Sequence, residues 1–206
     1  MLFRSNLNSA VNRFSSDVCK EPKAAELVDI CVMAFNHEVE VVQDWAPITA
    51  MRSVEFTADG GTNLSLALEA AIDKMRQQTS KYEKDIGMDV KMPYIILITD
   101  AEGGDVTEVS KLIKKRTDNR KMKLWVLGVK GYNKETVFQL TDGGKRVFEL
   151  VDENGFDFRD FFSYISASIK AVSVSAPGAE IHIPDNENPL AKRDTNLKIA
   201  DKWLND

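Results

Sequence analysis

The stretch Pro93 to Asp105, PYIILITDAEGGD, sets a nearly unbroken apolar run, Tyr94 to Ile98, directly before an acidic, glycine-containing loop. Such a run fits a strand covered on both faces, as in a parallel sheet flanked by helices. Thr99 and Asp100 fall at its carboxyl end, the edge at which open α/β sheets bind ligands, so the Asp100 carboxylate is a candidate functional group. Aspartate is equally common where strands give way to turns and helix caps, and this stretch alone leaves both readings open.

The rest of the chain supplies partners for that strand. Leu7, Val11, Phe14 and Val18 recur at helical spacing and predict an amphipathic helix over about Ser5 to Asp17. After Glu21-Pro22, the run Leu27 to Phe35 reads as a buried strand, and Asn36-His37 turns it into Glu38 to Asp44, an alternating antiparallel edge strand blunted by Glu38 and Glu40. Leu64, Leu68, Ala71, Ile72 and Met75 form the clearest helical stripe, with Thr62 at the N-cap position, and Gln77 to Lys91 reads as a helix end and loop.

Val106, Val109, Leu112 and Ile113 predict a further helix, and Lys123 to Val129 a strand. Asn133 can cap a short helix carrying Val137, Phe138 and Leu140, closed by Gly143-Gly144. Arg146 to Val151 reads as the last strand, and Asp157 as the cap of a helix bearing Phe158, Phe161, Phe162, Ile165, Ile169 and Val172. Strands and helices alternate after the hairpin. The predicted fold is therefore α/β, a doubly wound, mostly parallel sheet with one antiparallel edge strand and helices on both faces. A domain over residues 1–175 precedes a polar tail, 176–206, where an extended piece at Glu180 to Ile183 and a short helix near Asn196 to Leu204 are expected. The tail has too little apolar surface to fold alone.

With 206 residues, 43% of them hydrophobic, the chain is long enough to bury a substantial core, and one domain with a tail is expected. The net charge of −5 argues against nucleic acid and anionic membrane surfaces as partners. No apolar run reaches bilayer length and the N-terminus lacks signal-peptide regions, so a cytoplasmic protein is expected. Cys19 and Cys31 make neither a disulfide framework nor a spaced metal motif and read as buried small hydrophobes.

Two loops should converge at the carboxyl edge of the sheet: Asp59-Gly60-Gly61-Thr62, and Thr99 through Asp105. A hydroxyl and carboxylates beside glycines suit Mg²⁺ or Mn²⁺, which prefer oxygen donors. The structural alternatives are an N-cap for Thr62 and loop solubility or helix capping for Glu102 and Asp105. His37 and His182 have no triad or zinc setting, and no GxxxxGK[ST] or GxGxxG phosphate loop occurs. The basic run Lys111 to Lys123 reads as a solvated helix face, and the phenylalanines between 156 and 162 read as core.

The order of these parts resembles the von Willebrand factor type A (VWA) domain, in particular its small bacterial, tellurium-resistance (TerY-like) branch. The segments that carry the resemblance are VDICVMAFN, ADGGTNLSLALEAA and YIILITDAEGGD, continued by KLWVLGV and the final aromatic helix, over about residues 5–175. The resemblance implies a protein-protein interaction module without catalysis. Its divalent metal, Mg²⁺ or Mn²⁺, would be held by an Asp-x-Ser-x-Ser motif, a threonine and an aspartate, and often completed by a carboxylate from a protein partner. By position Thr62 corresponds to the threonine and Asp100 to the aspartate, while Gly60 and Gly61 match the glycines that let the loop approach the ion. The same likeness implies a role in tellurite resistance or stress response.

One part of the pattern is missing. The family's first strand and its Asp-x-Ser-x-Ser motif should precede the first helix, and Met1 to Arg4 cannot supply them. The expected fold is therefore a VWA fold that is N-terminally incomplete, with weak or absent metal binding. A start lying further upstream is the favoured reading; a strand from another chain, or a sheet closed up with its site lost, are the others. Two alternative functions stand beside the interaction module: an enzyme acting on phosphate groups through Asp100, and a metal-independent scaffold accepting a strand from a partner.

Overall fold

The computed structural model describes residues 2–56, 61–102, 104–129, 131–143, 146–151, 157–175 and 183–200. The chain divides into two compact units, one of Met1–Ala34, Val41–Ala58 and Leu150–Lys198, the other of Phe35–Glu40, Asp59–Glu149 and Ile199–Asp206.

In the first unit, helix α1 (Leu2–Val18) buries Ala10, Val11, Phe14 and Val18, an i, i+1, i+4, i+8 stripe. It packs on α6 (Arg159–Val174), where Phe14 and Phe162 meet with ring centroids 5.6 Å apart. α2 (Pro22–Leu27), which the sequence reading passes over as a break, also packs on α6; Pro22 occupies its first turn, where its missing N–H costs nothing. Strands β1 (Asp29–Phe35) and β2 (Val39–Pro47) form a separate two-stranded sheet. The tight connection, closed by Asn36 N–H to the Glu38 carbonyl at 2.9 Å, makes the pair antiparallel. Every residue of β1 is half-buried, whereas its sequence reads as buried on both faces.

Residues 51–56 are held to this unit by side chains rather than by a strand. The N–H groups of Arg52, Val54 and Phe56 donate to Gln43 Oε1, Asn12 Oδ1 and Asn8 Oδ1 at 2.7, 3.0 and 3.1 Å, and Asn12 Nδ2 returns a bond to the Val54 carbonyl. The match is geometric: four residues of helix rise about 6 Å, and two residues of extended chain about 6.6 Å. Asn8 and Asn12 thus reach alternate backbone amides.

A four-stranded sheet has the order β3 (Tyr94–Thr99), β4 (Lys123–Gly128), β5 (Val147–Leu150), β6 (Leu197–Ile199), of which β3, β4 and β5 up to Glu149 belong to the second unit. β3, β4 and β5 are parallel, with Tyr94 opposite Lys123 and Val126 opposite Val147. β6 runs antiparallel, since Val151 N–H bonds to the Asn196 carbonyl and Ala200 N–H to the Val147 carbonyl. Helix α3 (Leu64–Ser80) buries Leu64, Leu68, Ile72 and Met75, α4 (Thr107–Asp118) Val109 and Ile113, and α5 (Lys134–Leu140) Val137 and Leu140. α3 continues through a π-helical turn, Lys81–Ile86, to Gly87, whose φ of +74° closes the helix as a left-handed cap.

The α/β class and the mostly parallel sheet are as the periodicity predicts. Three features differ. The hairpin forms its own sheet, so among the described residues β3 ends its sheet, and Ile95, Ile96 and Ile98 are half-buried rather than covered. Of the helix expected near 196–204, Leu197–Ile199 instead form β6, where Asp160 Oδ2 accepts from Thr195 Oγ1 and Asn196 N–H and Leu197 is buried, and residues 201–204 lie outside the described residues. Cys19 and Cys31 are half-buried. The expected extended piece at 180–183 and Gly144 lie mostly outside the described residues. Among the described residues no helix is long and apolar enough to cross a membrane.

Candidate functional site

β3 delivers Asp100 to the carboxyl edge of its sheet, and the next two residues fold back on it. Thr99 Oγ1 accepts the Ala101 N–H at 2.9 Å and Asp100 Oδ1 the Glu102 N–H at 3.2 Å. Ala101 is fully buried with φ of +54°, so the chain turns sharply at the strand end. The Asp100 carbonyl accepts the Asn133 N–H at 2.8 Å, and the Thr99 carbonyl the Val129 N–H at 3.0 Å, which fastens the β3 loop to the loop after β4.

The threonine-bearing loop reaches the same edge. Ser65 Oγ–H donates to the Asp105 carbonyl at 2.6 Å, joining the first turn of α3 to the loop after β3. Asn63 N–H donates to the Asn36 carbonyl at 2.6 Å. The cap of α3 is Asn63, whose Oδ1 accepts from Leu66 N–H at 3.1 Å. Thr62, half-buried one residue earlier, is therefore not the cap that its position suggests. Gly61 has open space around the position of a Cβ, so packing does not demand glycine there; Gly60 lies outside the described residues.

The neighbouring acids have local roles. Asp105 Oδ1 accepts the Thr107 N–H at 2.8 Å, and hydrogen bonds from the Thr107 hydroxyl and amide hold its carboxyl below the usual range. Glu102 is exposed. Asp157 acts similarly before α6, accepting the Arg159 N–H at 3.1 Å, although the residue in the cap position is Phe158. Asn133 is the cap of α5, accepting from Thr136 N–H as expected.

As a divalent-ion site the donor set is thin. One Asp100 oxygen already receives an N–H, which leaves its other oxygen and the Thr62 hydroxyl as candidate ligands. Among the described residues no group of three or more His, Cys, Asp and Glu could hold an ion. Two oxygens leave most of an octahedral shell to water, so the described residues do not by themselves fit a resident Mg²⁺ or Mn²⁺.

The same edge carries a cluster that residue-by-residue reading misses. Tyr132 donates its hydroxyl to the buried Glu149 carboxylate, and Lys134 Nζ lies 3.4 Å from the same oxygen. Burial first, then the bond to Glu149 and its charge, push the Tyr132 phenol far above its ordinary value. Gly128, opposite Glu149 in the register, is required here: a Cβ would lie 2.5 Å from a Tyr132 ring carbon. A lone acid in the otherwise apolar run Val147 to Leu150 is the signal that could have flagged the cluster. Because Asn133, which follows Tyr132, binds the Asp100 carbonyl, this cluster braces the loop beside Asp100. Compared with known proteins, the sequence matches no family model and no curated protein.

Proposed function

We propose that the chain is a protein-protein interaction module of VWA type that presents the carboxyl edge of its parallel sheet to a protein partner and performs no catalysis. The observation that carries this reading is the meeting of the Thr62 and Asp100 loops, joined by the Ser65 to Asp105 bond. Thr62 leaves capping to Asn63, so its hydroxyl is not used as the α3 cap, and Asp100 keeps one carboxylate oxygen clear of its own turn. A partner carboxylate, bridged by Mg²⁺ or Mn²⁺, would supply oxygens that the two residues lack. A cytoplasmic setting and a role in tellurite or stress response belong to the same reading and rest on the sequence resemblance.

The test is copurification from cells with wild type, Asp100→Asn and Thr62→Ala, with and without a chelator. The expected result is a defined partner retained by the wild type and lost from both variants and in chelator, with circular dichroism unchanged. Retention by all three proteins would sink the proposal. Mg²⁺ or Mn²⁺ alone is expected to raise the melting temperature little, because the ion gains few protein ligands without the partner. Turnover of phosphate esters lost in Asp100→Asn would instead favour the enzymatic alternative.

A second reading, metal-independent capture of a partner strand, is favoured by one observation. β3 stands at its sheet edge with Ile95, Ile96 and Ile98 half-buried, a composition suited to a strand paired on both sides. Binding that survives chelator and Asp100→Asn, and that slows hydrogen exchange at β3 amides, would assign the partner to this edge.

A further inference from the structure

At the edge opposite Asp100 three neighbouring parallel strands carry Tyr94, Lys123 and Arg146, the first two in register and Arg146 one residue before the Val126–Val147 pair, level with Trp125. β3 begins at Tyr94, β4 at Lys123, and β5 immediately after Arg146, whose carbonyl accepts the Val126 N–H at 3.0 Å. Tyr94 and Lys123 are register partners, and Lys123 Nζ sits 5.3 Å from the Tyr94 ring centroid and 3.4 Å from its hydroxyl. The Tyr94 ring is in turn set edge-on against Trp125, with centroids 5.2 Å apart. Tyr94, Lys123 and Arg146 are half-buried, which separates Lys123 from the solvated basic run that precedes it in sequence.

Lys111 pairs with Glu108, Lys114 with Asp142 and Lys134 with Glu149, but among the described residues neither Lys123 nor Arg146 has a carboxylate partner. Burial and then the Arg146 charge hold Lys123 below the usual lysine range. Burial raises the Tyr94 phenol, and Arg146 partly offsets that rise, so the guanidinium is felt at both neighbours. Two like charges held together in a half-buried place weaken the fold unless something of opposite sign joins them.

We propose that Tyr94, Lys123 and Arg146 form a binding site for a phosphate-type oxyanion at the amino ends of β3, β4 and β5. The chemistry is donor-only. Lys123 gives one N–H to the Tyr94 oxygen, which directs the phenol hydrogen outward, and its other N–H groups and the Arg146 fork remain available. A tetrahedral dianion accepts at every oxygen, takes the guanidinium in bidentate fashion, and removes the repulsion between the two cations. The site is independent of the carboxyl-edge reading and does not stand or fall with it.

The experiment titrates the full chain with inorganic phosphate at constant ionic strength, chloride balancing, and follows both melting temperature and ³¹P line broadening. The wild type should show a saturable rise in Tm and matching broadening. Arg146→Gln and Lys123→Met should each weaken binding about tenfold or more, the loss expected for one charge-assisted contact. Arg146→Lys, which keeps the charge but loses the fork, should fall between. Lys121→Met, an exposed neighbour, should bind as the wild type does. Line broadening is read below the melting range, so it reports binding even where a variant is less stable. A parallel arm with O-phosphoserine separates the two sources of the ligand: tighter binding there assigns the site to a phosphorylated partner, and weaker binding assigns it to the free anion. No saturable signal in the wild type for either probe, or an equal signal in every variant, overturns the proposal.

Discussion

Tyr132 and Glu149, seventeen residues apart, are joined by a hydrogen bond from the phenol to a buried carboxylate, across the ends of β4 and β5. The bond sits over Gly128, the only side-chain-free residue of β4, and it fixes the loop whose next amide holds the Asp100 carbonyl. A buried carboxylate is tolerated because its Oε1 takes both the Tyr132 hydroxyl and the Lys134 ammonium.

Tyr132→Phe keeps the ring against Gly128 and removes only the hydroxyl. Glu149 then retains Lys134 but loses its nearest donor, and the chain should be destabilised by about 1–3 kcal/mol in urea denaturation. An unchanged midpoint would show that the remaining partners of Glu149, Lys134 among them, satisfy the carboxylate.

The same bond sets an alkaline limit. Tyr132 has a folded pKa raised above its unfolded value of about 10, so below that pH both states hold the proton and its contribution is fully present. Above it the unfolded state releases the proton first, and stability falls by up to about 1.4 kcal/mol per pH unit for this one group. Tyr94, also raised by burial, adds to the same slope. Denaturation measured between about pH 9 and 11.5 should show the decline, and Tyr132→Phe should make it shallower.

Asn63 and Thr62 should separate structure from recognition. Asn63→Ala removes the α3 cap and should cost about 1 kcal/mol. Thr62→Ala should leave thermal stability nearly unchanged. The reverse order, read by thermal denaturation, would show that Thr62 has a structural role and weaken its place in the recognition edge.

Arg120 is exposed and held at φ of +54° just past the end of α4. Its side chain makes the left-handed conformation costly, and glycine does not carry that penalty. Arg120→Gly should stabilise the chain by about 1 kcal/mol, visible as a higher denaturation midpoint.

Local pattern carried much of this fold. The stripe Leu64, Leu68, Ile72, Met75 marks α3 because helical periodicity is written within a few turns, and Tyr94 to Ile98 marks β3 because a strand's apolar run is contiguous. α2 escaped because six residues are too few for a period, and β6 because three residues in a polar tail gain their strand state only by pairing with β5. Asp100 at the end of β3 was legible for the same local reason. Its bond to Asn133, the choice of Asn63 over Thr62 as cap, and the Tyr132 to Glu149 bond were not, since each depends on which donor geometry brings nearest.

The order and type of the main helices and strands, the α/β class and the placing of Thr62 and Asp100 at helix and strand ends follow from local pattern. That the hairpin forms its own sheet, that β3 ends the other sheet among the described residues, and that Tyr94, Lys123 and Arg146 stand on neighbouring strands follow from long-range pairing. The reason is physical: hydrophobic periodicity is a property of adjacent residues, whereas strand pairing and buried charge are settled between segments far apart along the chain.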